Sequence, residues 1–256
     1  MMERVIKNID FGLFIIGGGP GDPELITLKA YHVLERADVI LYDNLSNQEL
    51  LKVAPKDCEL VYVGKKPYGK CTTQEEINDL IIKYAGIYGT VVRLKGGDPF
   101  IFGRGFEELL AAEAHGIKTH YIPGISSMQG VGFSGIPLTH RGISESVWMI
   151  TGTKKDGSLS NDLKCAMKSM ATVVIYMGMK KLAEIAAVYT AEGLGHMPAA
   201  VIQHATLPQQ KQVICTVDEL PTATLRAGLS YPAIIIIGDV VNARAIVDSW
   251  HNSIAV

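Results

Sequence analysis

The stretch Arg93-Leu94-Lys95-Gly96-Gly97-Asp98-Pro99-Phe100-Ile101-Phe102-Gly103-Arg104-Gly105 decides the fold of this chain. Val91 and Val92 before it are apolar, as the end of a buried strand is. Two adjacent glycines, an acid and a proline then make a tight loop. An arginine between glycines closes it, just before a helix starting near Phe106. In an open α/β sheet such a strand end aims its loop at the crevice where ligands bind. Gly96 and Gly97 lack a Cβ, so a ligand can touch the backbone there. Asp98 offers a carboxylate, and Arg104 offers a planar fork of donors for a carboxylate or phosphate. An ordinary strand-to-helix turn also uses glycine, and a lone Gly-Gly pair would mean only that. Glycines, acid and arginine converging at one strand end favour a ligand site.

Working outward, Thr73-Gln74-Glu75-Glu76 is a capping-box pattern. Ile77, Leu80, Ile81 and Tyr84 follow on one helical face, and the chain then returns to the strand at 90–94 in a βαβ manner. The loop 64–70 before it concentrates Lys65, Lys66 and Lys70, either as a solvated loop or as a cationic rim; Cys71 is given no role. After the deciding stretch comes a helix at 106–115. Glu107 and Glu108 in its first turn suit the positive end of the helix dipole. A strand at 119–122 leads to Pro123-Gly124-Ile125-Ser126-Ser127, where Ser126 is a natural helix cap.

The start of the chain reads similarly. A strand at 11–16 runs into Gly17-Gly18-Gly19-Pro20-Gly21-Asp22-Pro23. A dinucleotide turn needs a small third residue, and Asp22 stands there. A P-loop needs Gly-Lys-Ser/Thr, which is absent. A helix start capped by Asp22 with Pro23 first is the third reading. Asp43, after a strand at 39–42, imitates the ribose-binding acid of a nicotinamide site, which keeps an oxidoreductase in play. Helices at 27–36 and 46–53 and a strand at 59–63 complete the alternation.

Gly135-Ile136-Pro137-Leu138-Thr139-His140-Arg141 separates two rounds of alternation. The expected architecture is α/β, with domains 1–122 and 142–256, a linker at 123–141 and a cleft between the domains. The second domain reads as strands at 146–151, 172–176, 199–203, 212–216 and 234–237. A polar, flexible stretch spans 152–162, and helices are predicted at 180–192, 217–227 and 240–250.

Composition bounds the function. The chain has 256 residues, 48% hydrophobic and 20% charged, enough for one large or two modest globular domains. A formal charge of -2 argues against a general nucleic-acid binder. The four cysteines, Cys58, Cys71, Cys165 and Cys215, are scattered without metal-ligand spacing, so neither a zinc site nor a disulfide framework is expected. No signal peptide and no apolar run of membrane-spanning length is present, so the expected setting is cytoplasmic.

The motif RLKGGDPFIFGRG resembles the signature of the uroporphyrinogen-III C-methyltransferases, within the tetrapyrrole methylase family. GGGPGDPELITLKA, QEEIN, IPGISS, GIPLTHR, IYMGM and YPAIIIIGDVV agree with it in order, over roughly 14–241. The resemblance implies S-adenosylmethionine-dependent C-methylation of uroporphyrinogen III at ring carbons 2 and 7, giving precorrin-2 for sirohaem, haem d1 or cobalamin. It implies a cofactor pocket lined by Pro20, Gly96, Gly97, Asp98 and Ile101, with Ser126 and Ser127. From the second half it adds Met177, Ala205 and Ala233. Arg104 and Arg141 are implied to grip substrate carboxylates, and Glu107 is the candidate for the proton lost after methylation. A homodimer is implied, and no metal. The family usually has glycine where Phe106 stands and Asp where Gly142 stands, which puts the substrate pose in question. About a dozen residues precede the first strand, so the dehydrogenase and ferrochelatase region of bifunctional sirohaem synthases is expected to be absent. A methylase of a later corrin precursor or of a protein side chain, a nicotinamide oxidoreductase and a non-catalytic binding module are the competing readings.

Overall fold

The structure, a computed structural model, describes residues 11–64, 72–243, 245 and 246. The chain divides into two compact units, Met1–Ser127 and Met128–Val256. Lys65, Lys66, Lys70 and Cys71 lie outside the described residues, as does the predicted helix at 240–250 from residue 247 on.

The first unit holds strands β1 (Gly12–Gly17), β2 (Val39–Tyr42), β3 (Glu59–Tyr62), β4 (Thr90–Lys95) and β5 (Thr119–Ile122). They pair in the order β3-β2-β4-β1-β5, every pair parallel. Parallel sheets are covered on both faces, so their strands read as near-continuous apolar runs, and period-two alternation sorts the side chains. Phe14, Ile16, Val92 and Leu94 face helix α1 (Leu28–Leu34). Leu13, Ile15, Leu41 and Val91 face α2 (Gln74–Ala85) and α3 (Gly105–Glu113). The connection after β1 runs to one side of the sheet and the connection after β4 to the other. The reversal therefore falls between the neighbours β4 and β1, and a ligand crevice is expected beyond their carboxyl ends.

Local signals worked where a side chain could satisfy the orphan amides of a helix start. The capping box at α2 is complete: Glu76 N donates to Thr73 Oγ1 (3.2 Å) and Thr73 N to Glu76 Oε2 (2.7 Å). Thr27 caps α1 through Ala30 N. Asp22 accepts from Glu24 N, but only for a 3₁₀ turn, Pro23–Leu25, before α1 begins afresh. The helix expected at 46–53 is also 3₁₀, Gln48–Val53. Ala54 precedes Pro55 and is held extended (ψ 153°), which stops the run before an α-helix can propagate.

A short helix α4 (Ser127–Gly130) follows β5. The second unit contains β6 (Val147–Thr151), α5 (Leu163–Ala166), β7 (Thr172–Tyr176), α6 (Leu182–Ala191), β8 (Pro198–Gln203), β9 (Lys211–Thr216), α7 (Leu220–Arg226) and β10 (Ala233–Ile237). The order is β6-β7-β10-β8-β9, parallel between β6 and β7 and antiparallel elsewhere. The short α5, which follows the polar stretch 152–162 and was not foreseen, is held by the buried Leu163 and Ala166. Among the described residues, no helix is long and apolar enough to cross a membrane.

Candidate functional site

In the first unit the loops leaving β1, β4 and β5 meet backbone to backbone. A Cβ on Gly17 would lie 2.5 Å from Gly124 Cα and 2.6 Å from Gly97 O, and one on Gly124 would collide with the same Gly97 oxygen. Gly18 N donates to Lys95 O at 2.7 Å, and Gly97 N donates to Gly19 O at 2.7 Å. Gly97 sits at φ 65°, where a side chain is strained. Gly96 differs from expectation. A Cβ there would run into the carbonyl of Leu45, so one face of Gly96 is covered by the loop after β2. Glycine is required at this point by packing.

Asp98 is buried, and its carboxylate ties two of these loops together. Oδ1 accepts from Phe100 N (2.8 Å), and Oδ2 accepts from Tyr121 Oη (2.7 Å) and Gly124 N (3.1 Å). Burial, reinforced by Asp98, raises the pKa of the Tyr121 phenol. The sequence reading set Asp98 beside a cationic cofactor; the structure gives both its oxygens protein donors, so it stiffens the cradle. Phe100 stacks on Tyr121 at 3.9 Å, and Phe106 meets Phe100 edge-on at 5.6 Å. Pro20, Ile101 and Ser127 are half-buried around this cradle, and Ser126 is buried.

Arg104 opens α3 in the left-handed conformation, φ 58°, two residues after Phe102 at φ 52°. Its guanidinium is engaged by Glu107: Nε to Oε1 at 3.0 Å and Nη2 to Oε2 at 2.6 Å. Both side chains are more than half exposed. The bond to Glu107 raises the pKa of Arg104.

The neighbouring Glu108 is a different case, and its reading as a mere helix-dipole partner is corrected. It is fully buried and accepts from Arg93 Nε (3.2 Å), Lys95 Nζ (3.0 Å) and Gln74 Nε2 (3.2 Å). Arg93 Nη2 continues to Asp43 Oδ2 at 2.9 Å, and Asp43 Oδ1 accepts from Leu45 N at 2.9 Å. Asp43 thus engages both oxygens inside the protein, which argues against the ribose-binding role and against the nicotinamide reading that drew on it and on the first glycine turn. Burial lowers the pKa of Arg93, but Glu108 and Asp43 outweigh it and the net shift is upward. Burial, with Arg93 alongside, lowers the pKa of Lys95. The signal was available in the sequence: two cations at alternate positions of an apolar strand share a face and require buried anions.

In the second unit, β-sheet register brings Met177, Ala205 and Ala233 to one sheet end. Ile235 pairs with Ile175, and Ala233 pairs with Gln203. Met177 follows β7 at φ 54°, exposed, with its carbonyl held by Thr153 Oγ1 at 2.9 Å. Ala205 is buried between His204 (φ 52°) and Thr206 (φ 73°). Among the described residues, the non-glycine left-handed positions all lie in loops after β4, β7 and β8. Such strain persists at ligand sites because the surrounding structure enforces it. Arg141 is exposed in the turn where His140 and Ser144 exchange backbone bonds, and its guanidinium forms no ion pair with the described residues. Among the described residues, no three of His, Cys, Asp and Glu cluster as a metal centre requires.

Residues 12–221 match the family model of tetrapyrrole (corrin/porphyrin) methylases. The chain is 43% identical over 233 residues to a uroporphyrinogen-III C-methyltransferase of Bacillus subtilis, covering 90% of this chain and 91% of that one. It is 41% identical over 234 residues to a sirohaem synthase of Thiobacillus denitrificans, covering 91% of this chain and 49% of that protein. The chain spans about half the length of the sirohaem synthases it matches. A crystal structure of a uroporphyrin-III C-methyltransferase from Thermus thermophilus, complexed with S-adenosylhomocysteine, superposes with a TM-score of 0.79 at 36% identity. The alignment covers 91% of this chain and 99% of that one.

Proposed function

This chain belongs to the tetrapyrrole methylase family, and from that premise we propose that it is an enzyme transferring methyl groups from S-adenosylmethionine to uroporphyrinogen III, at ring carbons 2 and 7, to give precorrin-2. The observation that carries the reading is the likeness to the Bacillus subtilis methyltransferase over nearly the full length of both chains. The site chemistry supports it. The triple-glycine contact leaves a cradle of backbone and small hydroxyl groups at the β4–β1 reversal, suited to a methionine moiety and its sulfonium.

The donor supplies a methyl group already activated on sulfur. The chain's own residues must then hold the acceptor and manage one proton. Arg104 presents a forked donor set at an exposed helix start, suited to a carboxylate of the acceptor. Engaging that carboxylate displaces Glu107 from Arg104, and Glu107 is assigned as the base for the proton lost after methylation; the methylated ring carbon carries no hydrogen, so that proton leaves from the pyrrole N–H. Arg141, which forms no ion pair among the described residues, is a second carboxylate ligand. Pro20, Gly96, Gly97, Ile101, Ser126 and Ser127 are assigned to the cofactor, with Asp98 as the residue that stiffens their loops. Met177, Ala205 and Ala233 belong to the same assignment. The product would serve sirohaem, haem d1 or cobalamin formation. The reading includes a homodimer acting in the cytoplasm; sedimentation equilibrium tests the dimer.

A labelled-methyl assay under nitrogen tests the reading. Transfer of label from S-adenosylmethionine into uroporphyrinogen III supports it. Retention of label on the bound donor, with the tetrapyrrole unchanged, contradicts it.

A further inference from the structure

The buried charge cluster behind β4 links the core to the proposed site. Glu108 of α3 holds Arg93 and Lys95 of β4, and Arg93 in turn holds Asp43 at the end of β2. Asp43 fixes the amide of Leu45, and the Leu45 carbonyl lies against Gly96, so close that a Cβ on Gly96 has no room. This is a continuous path from a carboxylate in the core to the glycine loop, through three hydrogen-bonded links and one backbone packing contact. Arg93 also donates to the carbonyls of Leu94 (2.8 Å) and Leu41 (3.4 Å), so its guanidinium is held from several sides. Glu108 Oε2 makes no hydrogen bond among the described residues, so the negative charge of Glu108 is opposed chiefly through one oxygen.

We propose that Glu108 is a positioning residue for the cofactor loop. By anchoring Arg93 it holds Asp43 and Leu45 in the place that shapes the loop of Gly96 and Gly97. The alternative is a purely structural role, in which the cluster holds α3 on the sheet and has no bearing on the loop. The two roles differ in what they predict. A structural role lowers stability and leaves the ligand affinity of the folded protein unchanged. A positioning role displaces the loop after β2 and alters affinity in molecules that remain folded. The cofactor assignment of Gly96 comes from the proposed function, so the ligand arm rests on that reading; a ligand-free arm does not.

The experiment uses the full chain with Glu108→Gln, which keeps the size of the side chain and removes its charge. Hydrogen exchange read by mass spectrometry, without ligand, is expected to show faster exchange in peptides spanning 41–47, including the Leu45 amide. The β5 peptide 119–122 is expected to be unchanged. Titration calorimetry with S-adenosylhomocysteine is expected to show a Kd raised at least roughly tenfold at unchanged stoichiometry. Gly96→Ala pushes on the same Leu45 carbonyl from the loop side and leaves the charge cluster intact. It is expected to raise Kd in the same direction, and the double variant less than additively. Unchanged exchange at 41–47 in a folded Glu108→Gln protein would overturn the proposal. So would an unchanged Kd beside a weakened Gly96→Ala. If Glu108→Gln does not fold, Gly96→Ala is read for exchange at 41–47, and protection there equal to that of the unaltered chain overturns it. A wild-type chain that binds S-adenosylhomocysteine but methylates no uroporphyrinogen III refutes the substrate reading alone and leaves both arms of this experiment valid.

Discussion

Arg104 and Glu107 face each other across one turn of α3 in a two-point ion pair, Nη2 to Oε2 at 2.6 Å and Nε to Oε1 at 3.0 Å. The residue proposed to bind a substrate carboxylate is therefore already bound to a carboxylate of its own chain. An exposed ion pair contributes only about 0.2–1 kcal/mol, so a multiply charged substrate can displace Glu107. Replacing Arg104 with alanine is expected to lower kcat/KM for the tetrapyrrole by at least roughly 100-fold, because a misplaced acceptor loses its alignment with the methyl group. Affinity for S-adenosylhomocysteine should stay essentially unchanged. Steady-state kinetics and calorimetry on the same preparation check both halves.

Adjacent acids on α3 are expected to behave oppositely. Glu108→Ala removes the anion from a buried cluster and should destabilise the protein by about 3–5 kcal/mol. Glu107→Ala, at an exposed position, should stay within about 0.5 kcal/mol. Urea denaturation of the two variants side by side measures the difference; equal midpoints would refute the buried network.

The glycine contacts rank two further variants. Gly97→Ala places a side chain at φ 65°, at a cost of roughly 1–2 kcal/mol. Gly124→Ala meets the backbone of Gly97 and Gly17, with no side-chain end able to move aside. Its cost should be larger, and the loops must separate to accept it. Equilibrium unfolding gives the order, and weaker binding of S-adenosylhomocysteine should follow the same order.

Tyr121 sets a pH dependence. Burial first, and then its bond to Asp98, hold its folded pKa above the unfolded value near 10. A raised pKa means that the folded state keeps a proton which the unfolded state releases. The contribution is full below pH about 10 and is lost as pH rises through the folded pKa. Tyr121→Phe removes this term, so the fall in its urea midpoint on the alkaline side should be shallower than in the unaltered chain. Parallel curves would contradict the raised pKa of Tyr121.

Much of this was legible in the chain itself. Alternating apolar runs, the Thr73–Glu76 box and the glycine turns located the strands, the caps and the loops that carry the site. What sequence could not supply was the partner of each charge. Nothing local distinguishes Glu107 from Glu108, since both occupy the first turn of one helix. Only the direction of α3 over the sheet buries the second against Arg93 and Lys95. Asp43 was read as a ligand for the same reason, because an acid after a strand looks alike whether its oxygens meet solvent or the protein's own donors. The helices expected at 46–53 and in part of 180–192 became 3₁₀ turns where a following proline or a tight strand exit set the backbone, a restraint that periodicity does not register.

The most direct test of the account is anaerobic incubation of the protein with uroporphyrinogen III and S-adenosylmethionine, with the mass of the tetrapyrrole followed over time. The account predicts addition of two methyl groups through a singly methylated intermediate. A tetrapyrrole of unchanged mass, in the presence of protein that demonstrably binds S-adenosylmethionine, would contradict it.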